Sequence, residues 1–359
     1  MRAIPLLVLV ITAACGAAAS ASAPLRVPPP TANPGPSAVA APAGPVAPTP
    51  APTAAPPAPV PLTFSATIVH APGARVRSGP GLDQPVLDID RVGRTETFDG
   101  WFQRADDQPL PDEVTGRIEP WSRDWFHLAD GRGWVHSASV RGNHPDGMPQ
   151  RQWTRPGSPA NPAAGLIEIP AGLQQHPVTC ELASLKMALA GRGIAADELS
   201  LLALTGDDRR PAEADGSGDI RRWGDPNQVF VGDPDGHISA HTGYGVYAAP
   251  IAAAARRSGA SVVAAGTGIA PAAVYAAVIA GHPAVAWVTN DYRPASVRTW
   301  VAWDGSTVQY ALNEHAVLVV GVTPGSILVN DPMKGQVWLT RTQFEAGYAT
   351  FDDMAVVIR

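Results

Sequence analysis

The residue of this chain best suited to covalent chemistry is a lone thiol. Only 2 cysteines occur among the 359 residues, Cys15 near the N-terminus and Cys180. The apolar side chains after Cys180, over residues 182–189, recur at helical spacing, and Gly191 ends the pattern. Cys180 is therefore predicted at a helix N-terminus, where the partial positive charge favours the thiolate and lowers the thiol pKa from about 8.5 toward about 7 or below. Glu181 adds a negative charge that opposes the thiolate but suits a helix N-terminus, so the sequence leaves its net effect open.

A nucleophilic thiol needs a base and a group that orients the base, and both types occur in the segment NEHAVLVVGVTPGSILVNDPMKG, residues 313–335. Two apolar runs flank a Thr-Pro-Gly turn, which predicts a β-hairpin. If the turn centres on Thr323, His315 and Asp331 lie directly opposite each other, with Cβ atoms about 5 Å apart. A slip of one residue would place them on opposite faces. A histidine alone would more often be structural, but the matched aspartate favours a catalytic pair.

The elements that must hold these residues belong to one region, residues 164–359. Helical stretches come early and strand-like stretches late, which predicts the α+β class and not a doubly wound parallel sheet. The segment GHPAVAWVTNDYR, residues 281–293, predicts a buried strand that ends at the cleft, with Trp287 in the core.

The N-terminus carries the features of an export signal over residues 1–22. A basic residue precedes an apolar run over residues 4–11, which is too short to span a bilayer. The string TAACG around Cys15 resembles the lipobox of bacterial lipoproteins, and this resemblance implies lipidation of Cys15. The alternative is ordinary secretion with cleavage after Ala21.

In either case Cys180 loses its only intramolecular partner and must be a free thiol, either a reactive one or a small buried apolar residue. Residues 23–62 consist almost entirely of Ala, Pro, Thr, Val and Gly, so they predict a disordered tether that cannot form a core.

Short alternating runs separated by turn residues predict a small all-β barrel over residues 63–142. The strings RVRSGPG, residues 75–81, and WFHLADGRGWVHS, residues 125–137, resemble those of bacterial SH3-like domains. Residues 106–122 are predicted as an insertion in one loop, and residues 143–163 as a second linker. The resemblance implies binding to cell-wall peptide, with exposed aromatic residues as the contacts (Trp101, Trp121 and Trp125). Trp134 is predicted in the core.

The Cys180 helix, the EHAVLVVGV strand and the ILVNDP strand resemble the papain-like cysteine peptidases related to the double-glycine leader peptidases of bacteriocin exporters. The resemblance implies that Cys180 is the nucleophile, His315 the general base and then acid, and Asp331 the group that holds the imidazole. Gln174 falls where papain-like enzymes place the amide that stabilises the oxyanion, with Gln175 as the fallback. Many relatives have Cys-Gly where this chain has Cys-Glu, although a Cys-Glu form occurs in extracellular members of the group.

The expected partners follow from charge and export. The net charge is −6 and no run of Lys or Arg predicts nucleic-acid binding. The substrate is expected to be a peptide or protein, the barrel is expected to bind peptidoglycan, and the lipid anchor is expected to hold the protein at the membrane. No cofactor and no metal are expected, because the spacing of the candidate ligands in the glycine-rich segment 221–251 fits no ligand set (Asp225, Asp233, Asp235, His237 and His241).

Two further hypotheses compete with a cell-envelope thiol peptidase. The first is a hydrolase of peptidoglycan cross-links, since SH3-like barrels accompany wall hydrolases. Those enzymes carry an Asp-Cys-Ser-Gly string and a second histidine, which this chain lacks at Cys180. The second is a non-catalytic wall-binding or adhesion protein that keeps the peptidase fold.

Overall fold

The structure is a computed structural model that describes residues 62–157 and 160–359. The predicted signal sequence with Cys15 and the proline-rich segment as far as residue 61 lie outside the described residues, so these predictions remain untested. No helix in the described part of the chain has the length and apolarity needed to cross a membrane.

The alternating runs after residue 62 form short strands, as predicted, and there are six of them in the described part of this region. They are β1 Phe64–Thr67, β2 Gly73–Arg77, β3 Val86–Arg91, β4 Thr95–Gln103, β5 Asp124–Leu128 and β6 Trp134–His136. All neighbours are antiparallel, and the order in the sheet is β1-β4-β5-β6-β2-β3. Alternate side chains meet in a small apolar core that includes Ile68, Val76, Phe98 and Phe126. Residues 106–122 fall in the long β4–β5 loop, as predicted.

The segment predicted as a second linker is instead folded against this sheet. Trp101 donates from Nε1 to the Met148 carbonyl at 3.0 Å, and the Arg151 amide donates to the Trp101 carbonyl at 2.8 Å. The Ala163 amide donates to the Val86 carbonyl at 2.9 Å. Proline and glycine prevent regular structure here but do not prevent backbone pairing with an adjacent strand.

Two tryptophans of this region are buried. Trp125 is 1 % exposed, so the prediction that it is an exposed contact for wall peptide is wrong. It lies in the alternating strand β5 with its indole inside, and its Nε1 donates to Asp107 at 2.9 Å. Trp134 is 5 % exposed, which confirms its predicted place in the core.

The C-terminal region contains five α-helices and the remaining strands of the described residues. The helices are α1 Cys180–Ala190, α2 Glu198–Thr205, α3 Ala248–Arg257, α4 Pro271–Ile279 and α5 Arg341–Tyr348. The strands of its main sheet are β7 Gly165–Leu166, β13 Val262–Gly266, β14 Ala284–Thr289, β17 Glu314–Val322, β18 Ser326–Asp331, β19 Gly335–Thr340 and β20 Ala355–Ile358. The strands of two smaller sheets are β8 Asp207–Asp208, β9 Glu213–Ala214, β10 Ile220–Trp223, β11 Phe230–Gly232, β12 Gly243–Gly245, β15 Arg298–Ala302 and β16 Thr307–Tyr310.

The main sheet has the order β13-β20-β14-β17-β18-β19, its neighbours are antiparallel, and β7 pairs with β17. Leu318 and its face of β17 pack with α1 and α3, whereas Val317 and the opposite face pack with α4 and α5. The predicted α+β class is confirmed for the C-terminal region. The expectation that helices come early is wrong for α3, α4 and α5. Helices α4 and α5 cover the face opposite α1, because a sheet buried on both faces needs helices on both sides. Strand β14 is fully buried, and Trp287 lies in the core as predicted.

The two regions contact each other within one compact unit. Arg75 of β2 donates to the Leu166 carbonyl at 3.2 Å and pairs with Glu168 at 2.8 Å. Arg91 of β3 donates to Ser326 Oγ at 2.9 Å, and its guanidinium lies 4.7 Å from the ring centroid of Trp338. These polar contacts hold the N-terminal sheet against the edge of the main sheet.

Candidate active site

Cys180 is the first residue of α1, as the sequence predicts. The helix packs across β17, and Ser184, one turn after Cys180, donates to the Ala316 carbonyl at 3.2 Å. This packing buries the thiol to 5 % exposure at the start of β17.

Two carboxyl groups surround the thiol. Cys180 Sγ donates to Glu181 Oε2 at 3.5 Å, and donor atoms of Cys180, Glu181 and Glu314 all lie within 4.8 Å of one another. Burial, followed by the charges of Glu181 and Glu314, raises the pKa of the Cys180 thiol well above its ordinary value. The sequence-based prediction of a lowered thiol pKa is therefore wrong for this arrangement, because loss of water and two nearby carboxyls outweigh the helix N-terminus.

The Glu181 carboxyl is fixed by the loop before α3. Its Oε1 accepts a hydrogen bond from the Val246 amide at 2.7 Å. Gly245 has a φ of +131°, and a Cβ there would lie 2.1 Å from Glu181 Oε1. A residue without a side chain is therefore required where the carboxyl meets this loop. Burial raises the pKa of Glu181 to about 7, although the amide of Val246 acts in the opposite direction.

Glu314 is the residue of this cluster that sequence reasoning missed. It is 5 % exposed, and neither carboxyl oxygen has a hydrogen-bond partner among the described residues. Burial and the charge of Glu181 raise its pKa well above the ordinary value. The sequence signal was its place immediately before His315, where strand alternation points it to the face that carries α1.

His315 and Asp331 are joined as an imidazole and carboxylate pair. His315 Nε2 lies 2.9 Å from Asp331 Oδ1, and the two residues are 1 % and 0 % exposed. The hairpin forms as predicted, but its register differs: Leu318 pairs with Asn330, so Asp331 faces Val317 and reaches His315 diagonally. An irregularity between Val319 and Gly321 shifts the pairing. Diagonal neighbours on one face remain within reach of long side chains.

Three further donors hold the Asp331 carboxylate. Tyr292 donates its hydroxyl to Oδ2, the Met333 amide donates to Oδ1 at 2.8 Å, and Lys334 Nζ lies 3.3 Å from Oδ2. Burial acts to raise the pKa of Asp331, but the hydrogen bond and charge of His315 and the bond from Tyr292 hold it below its ordinary value. Asp331 therefore stays ionised at neutral pH and can orient an imidazole. Tyr292, which stands in the segment predicted to reach the cleft, had no assigned role in the sequence-based prediction.

The structure brings Cys180 to β17 beside Glu314 and Ala316, the residues on either side of His315. It does not join the thiol to the imidazole: the Cys180 thiol donates to Glu181 Oε2, and the backbone amide of Ala316 faces the sulfur. His315 uses Nε2 for Asp331, and its Nδ1 has no hydrogen bond in the described part of the chain. Catalytic hydrogen bonds in structures without substrate are often long or unformed.

Gln174 lies in the loop that enters α1, but its amide is turned toward its own backbone. Nε2 donates to the carbonyls of His176 and Pro177, both at 2.8 Å, and Oε1 is buried without a partner among the described residues. Both Nε2 hydrogens are therefore occupied in this arrangement. Gln175, the fallback, is exposed and contributes its backbone amide to Glu198 at 2.9 Å.

The other residues considered as metal ligands make local contacts. Asp225 accepts from the Asn227 amide at 2.9 Å, and Asp235 lies 2.7 Å from His176 Nδ1. His237 and His241 flank a single turn of 3-10 helix. The Asp225 contact lies within one loop, and the Asp235 contact joins the β11–β12 loop to the loop before Cys180.

A buried glutamate that sequence reasoning missed fixes the loop before Cys180. Glu198, at the start of α2, is 0 % exposed and accepts from the Gln175 amide at 2.9 Å and the Thr179 hydroxyl at 2.7 Å. Lys186 of α1 lies 3.3 Å from its other oxygen. Its position after Asp197, a helix-capping residue, gave no sign of this role.

We expect Glu198→Ala to lower the free energy of unfolding by about 3 kcal/mol, because a buried amide, a hydroxyl and a lysine all lose their acceptor. Urea unfolding measures the change, and Glu213→Ala, which alters an exposed glutamate, is the control. A loss no greater than that of the control would show that Glu198 does not brace the loop.

Comparison with known protein families shows to which family the chain belongs. The profile of the peptidase C39-like family matches residues 166–356, which is more than half of the chain. The chain belongs to the peptidase C39-like family. The predicted resemblance to papain-like cysteine peptidases is thereby confirmed, whereas the SH3-like assignment of the N-terminal sheet stays a prediction.

The peptidase C39-like region also has individual relatives. The uncharacterized protein YvpB of Bacillus subtilis (strain 168) is 33 % identical over 138 residues, or 38 % of this chain and 53 % of YvpB. The match therefore spans about half the length of that curated relative.

Two solved structures are similar to part of the chain. A provisionally assigned C39-like peptidase from Bacillus anthracis is 27 % identical, with a TM-score of 0.46, over 55 % of this chain and 97 % of that chain. A double-glycine-motif protease of an AMS/PCAT transporter, solved with its leader peptide, is 15 % identical, with a TM-score of 0.27, over 54 % and 93 %.

Proposed function

We propose that this protein is a thiol peptidase of the cell envelope in which Cys180, His315 and Asp331 act as the catalytic triad. The observation that carries the proposal is the buried bond between His315 Nε2 and Asp331 Oδ1 on the strand against which the Cys180 helix packs. When the neutral His315 ring carries its proton on Nε2, the Asp331 carboxylate accepts that proton in a hydrogen bond, and Nδ1 remains available as a base. Family membership supports peptide-bond hydrolysis as the reaction.

The proposed reaction begins when the Cys180 thiol gives up its hydrogen bond to Glu181 and transfers its proton to His315 Nδ1. The sulfur then attacks the scissile carbonyl, and the imidazolium returns the proton to the leaving amine, which leaves a thioester on Cys180. Water, deprotonated by the same imidazole, releases the acid product and restores the thiol. Gln174 would stabilise the oxyanion only after its amide turns away from His176 and Pro177.

The envelope location is part of the same proposal. The export signal, the lipobox-like string at Cys15 and the proline-rich tether support a lipid-anchored protein that faces the cell wall. The short strands and the RVRSGPG motif support an SH3-like barrel that retains wall peptidoglycan. Partition of the mature protein into detergent, lost in Cys15→Ser, would support the anchor, and a soluble form that begins at Ser22 would contradict it.

We expect the purified chain to cleave members of a mixed peptide library, because the triad needs no bound cofactor to hydrolyse an amide. Mass spectrometry of the digest identifies new termini. The Cys180→Ala variant is the matched control and should produce none above background. Equal cleavage by both proteins would contradict the proposal.

One observation favours a second candidate, a non-catalytic wall-binding protein. The thiol is buried and hydrogen-bonded to Glu181, and its raised pKa opposes ionisation. Under this candidate Cys180 is a core residue, and neither the wild type nor Cys180→Ala cleaves any library peptide, while retention on cell-wall material is unchanged.

A further inference from the structure

A cavity of about 450 Å³ lies away from the candidate active site, between the N-terminal sheet, the long β4–β5 loop and the segment that enters the peptidase region. Its volume falls in the range of about 300–1,000 Å³ that is typical of small-molecule sites. The lining residues that bear on its chemistry are Arg77, Leu110, Glu113, Trp125, His136 and Glu168.

His136 contributes a buried donor without an acceptor. Its Nδ1 accepts from the Ala138 amide at 3.1 Å, so the proton of the neutral ring is on Nε2. The residue is 5 % exposed, and Nε2 has no partner among the described residues. Burial and the charge of Arg77 lower the pKa of His136 to about 4, so the ring is neutral at pH 7. An unpaired buried N–H is costly, and a ligand acceptor would remove that cost.

Arg77 contributes a guanidinium without a counter-ion. It donates to the Gln84 carbonyl at 2.7 Å, but within the described residues no carboxylate lies within 4.0 Å of it. Burial and the neighbouring Arg75 lower its pKa to about 10, while the charges of Asp107 and Asp83 act in the opposite direction, so it keeps its charge at neutral pH. A partly buried guanidinium without an ion-pair partner is stabilised by an anion beside it.

The other residues that line the cavity indicate which further groups a ligand would carry. Leu82 and Leu110 give an apolar surface, and the Trp125 ring, which is 1 % exposed, meets the His136 ring edge-on with centroids 4.9 Å apart.

The Glu113 and Glu168 carboxyls, which are 42 % and 51 % exposed, line the cavity as well. Each already uses Oε1, Glu113 for His70 at 2.7 Å and Glu168 for Arg75 at 2.8 Å, so a cationic group of the ligand would meet the Oε2 atoms. One cavity thus offers donors for an anion, an apolar wall and acceptors for a cation.

We propose that this cavity binds the free carboxylate of an amino acid or of the C-terminus of a short peptide, held by the Arg77 guanidinium and the His136 Nε2 proton. The apolar wall accepts the ligand side chain, and Glu113 favours its ammonium group. This site is independent of the proposed peptidase activity. Because Glu168 follows β7, a ligand here contacts both the N-terminal sheet and the peptidase region.

Calorimetric titration of the full chain tests the site. All proteins in this test carry Cys180→Ala, so that no peptide is hydrolysed. The probes are Gly-Leu, Gly-Leu amide and free leucine. We expect Gly-Leu to bind and the amide to bind at least about tenfold more weakly, because the charge-assisted bonds require the carboxylate. Tighter binding of Gly-Leu than of leucine assigns a peptide end, and the reverse assigns an amino acid.

Variants make the test specific. Arg77→Met should weaken Gly-Leu binding at least about tenfold while the protein stays folded, because the variant lacks the charge that meets the carboxylate. Arg141→Met, which alters an exposed arginine, is the control and should bind normally. Glu113→Gln should weaken the binding of Gly-Leu but not that of N-acetyl-Gly-Leu, which has no ammonium group. Equal affinity for Gly-Leu and its amide, unchanged binding in Arg77→Met, or no binding of Gly-Leu and leucine would overturn the proposal.

Discussion

Replacing His315 by alanine is expected to lower the rate of peptide hydrolysis by about 10⁴-fold or more, to the level that remains in Cys180→Ala. The thiol has a raised pKa where it lies, so it cannot supply a thiolate without the imidazole. Initial rates on a peptide cleaved by the wild type measure the effect.

The double variant distinguishes a catalytic unit from two independent effects. Cys180→Ala combined with His315→Ala should be no slower than either single variant by more than about threefold, since residues that act in one step are strongly non-additive. Asp331→Asn should lose less, because a neutral amide can still orient the imidazole. Multiplication of the two single losses in the double variant would contradict a shared step.

Replacing Glu181 by glutamine is expected to make Cys180 react with iodoacetamide about tenfold faster at pH 8, because the variant lacks the negative charge nearest the sulfur. The size of the rate difference depends on pH. The pKa of Glu181 is raised to about 7, so below that pH the wild-type carboxyl is also neutral. The two proteins should therefore react at similar rates at pH 6 and diverge above pH 7.

The variant keeps the geometry around the thiol, since a glutamine carbonyl can still accept the Val246 amide. Glu213→Gln, which alters an exposed carboxyl, is the control for a general change in charge. Identical alkylation profiles for wild type and Glu181→Gln between pH 6 and pH 9 would show that the carboxyl does not govern the acidity of the thiol.

Much of the arrangement could be predicted from local patterns. Helical spacing after Cys180 located α1, and two apolar runs around a Thr-Pro-Gly turn located the β17–β18 hairpin. Alternation also identified the runs that form the strands of the N-terminal sheet. These features depend on periodicity and turn chemistry, which short segments contain in full.

Features that depend on distant packing could not be predicted in this way. The irregularity near Gly321 moved Asp331 opposite Val317, and no local pattern marks such a shift. The burial of Cys180 between Glu181 and Glu314 reversed the expected direction of the thiol pKa. Glu198 acts on the catalytic loop from another helix. Each of these effects arises from residues that become neighbours only in the folded chain.

The central claim, that His315 activates Cys180, is tested most directly by the rate at which a peptidyl acyloxymethyl ketone modifies Cys180 at pH 7. Intact-protein mass spectrometry and peptide mapping follow the adduct, with urea-unfolded samples of both proteins as the measure of intrinsic thiol reactivity. The account predicts modification of Cys180 in the wild type and at least about 100-fold slower modification in His315→Ala, with equal rates in urea. Equal rates for the two folded proteins would contradict it.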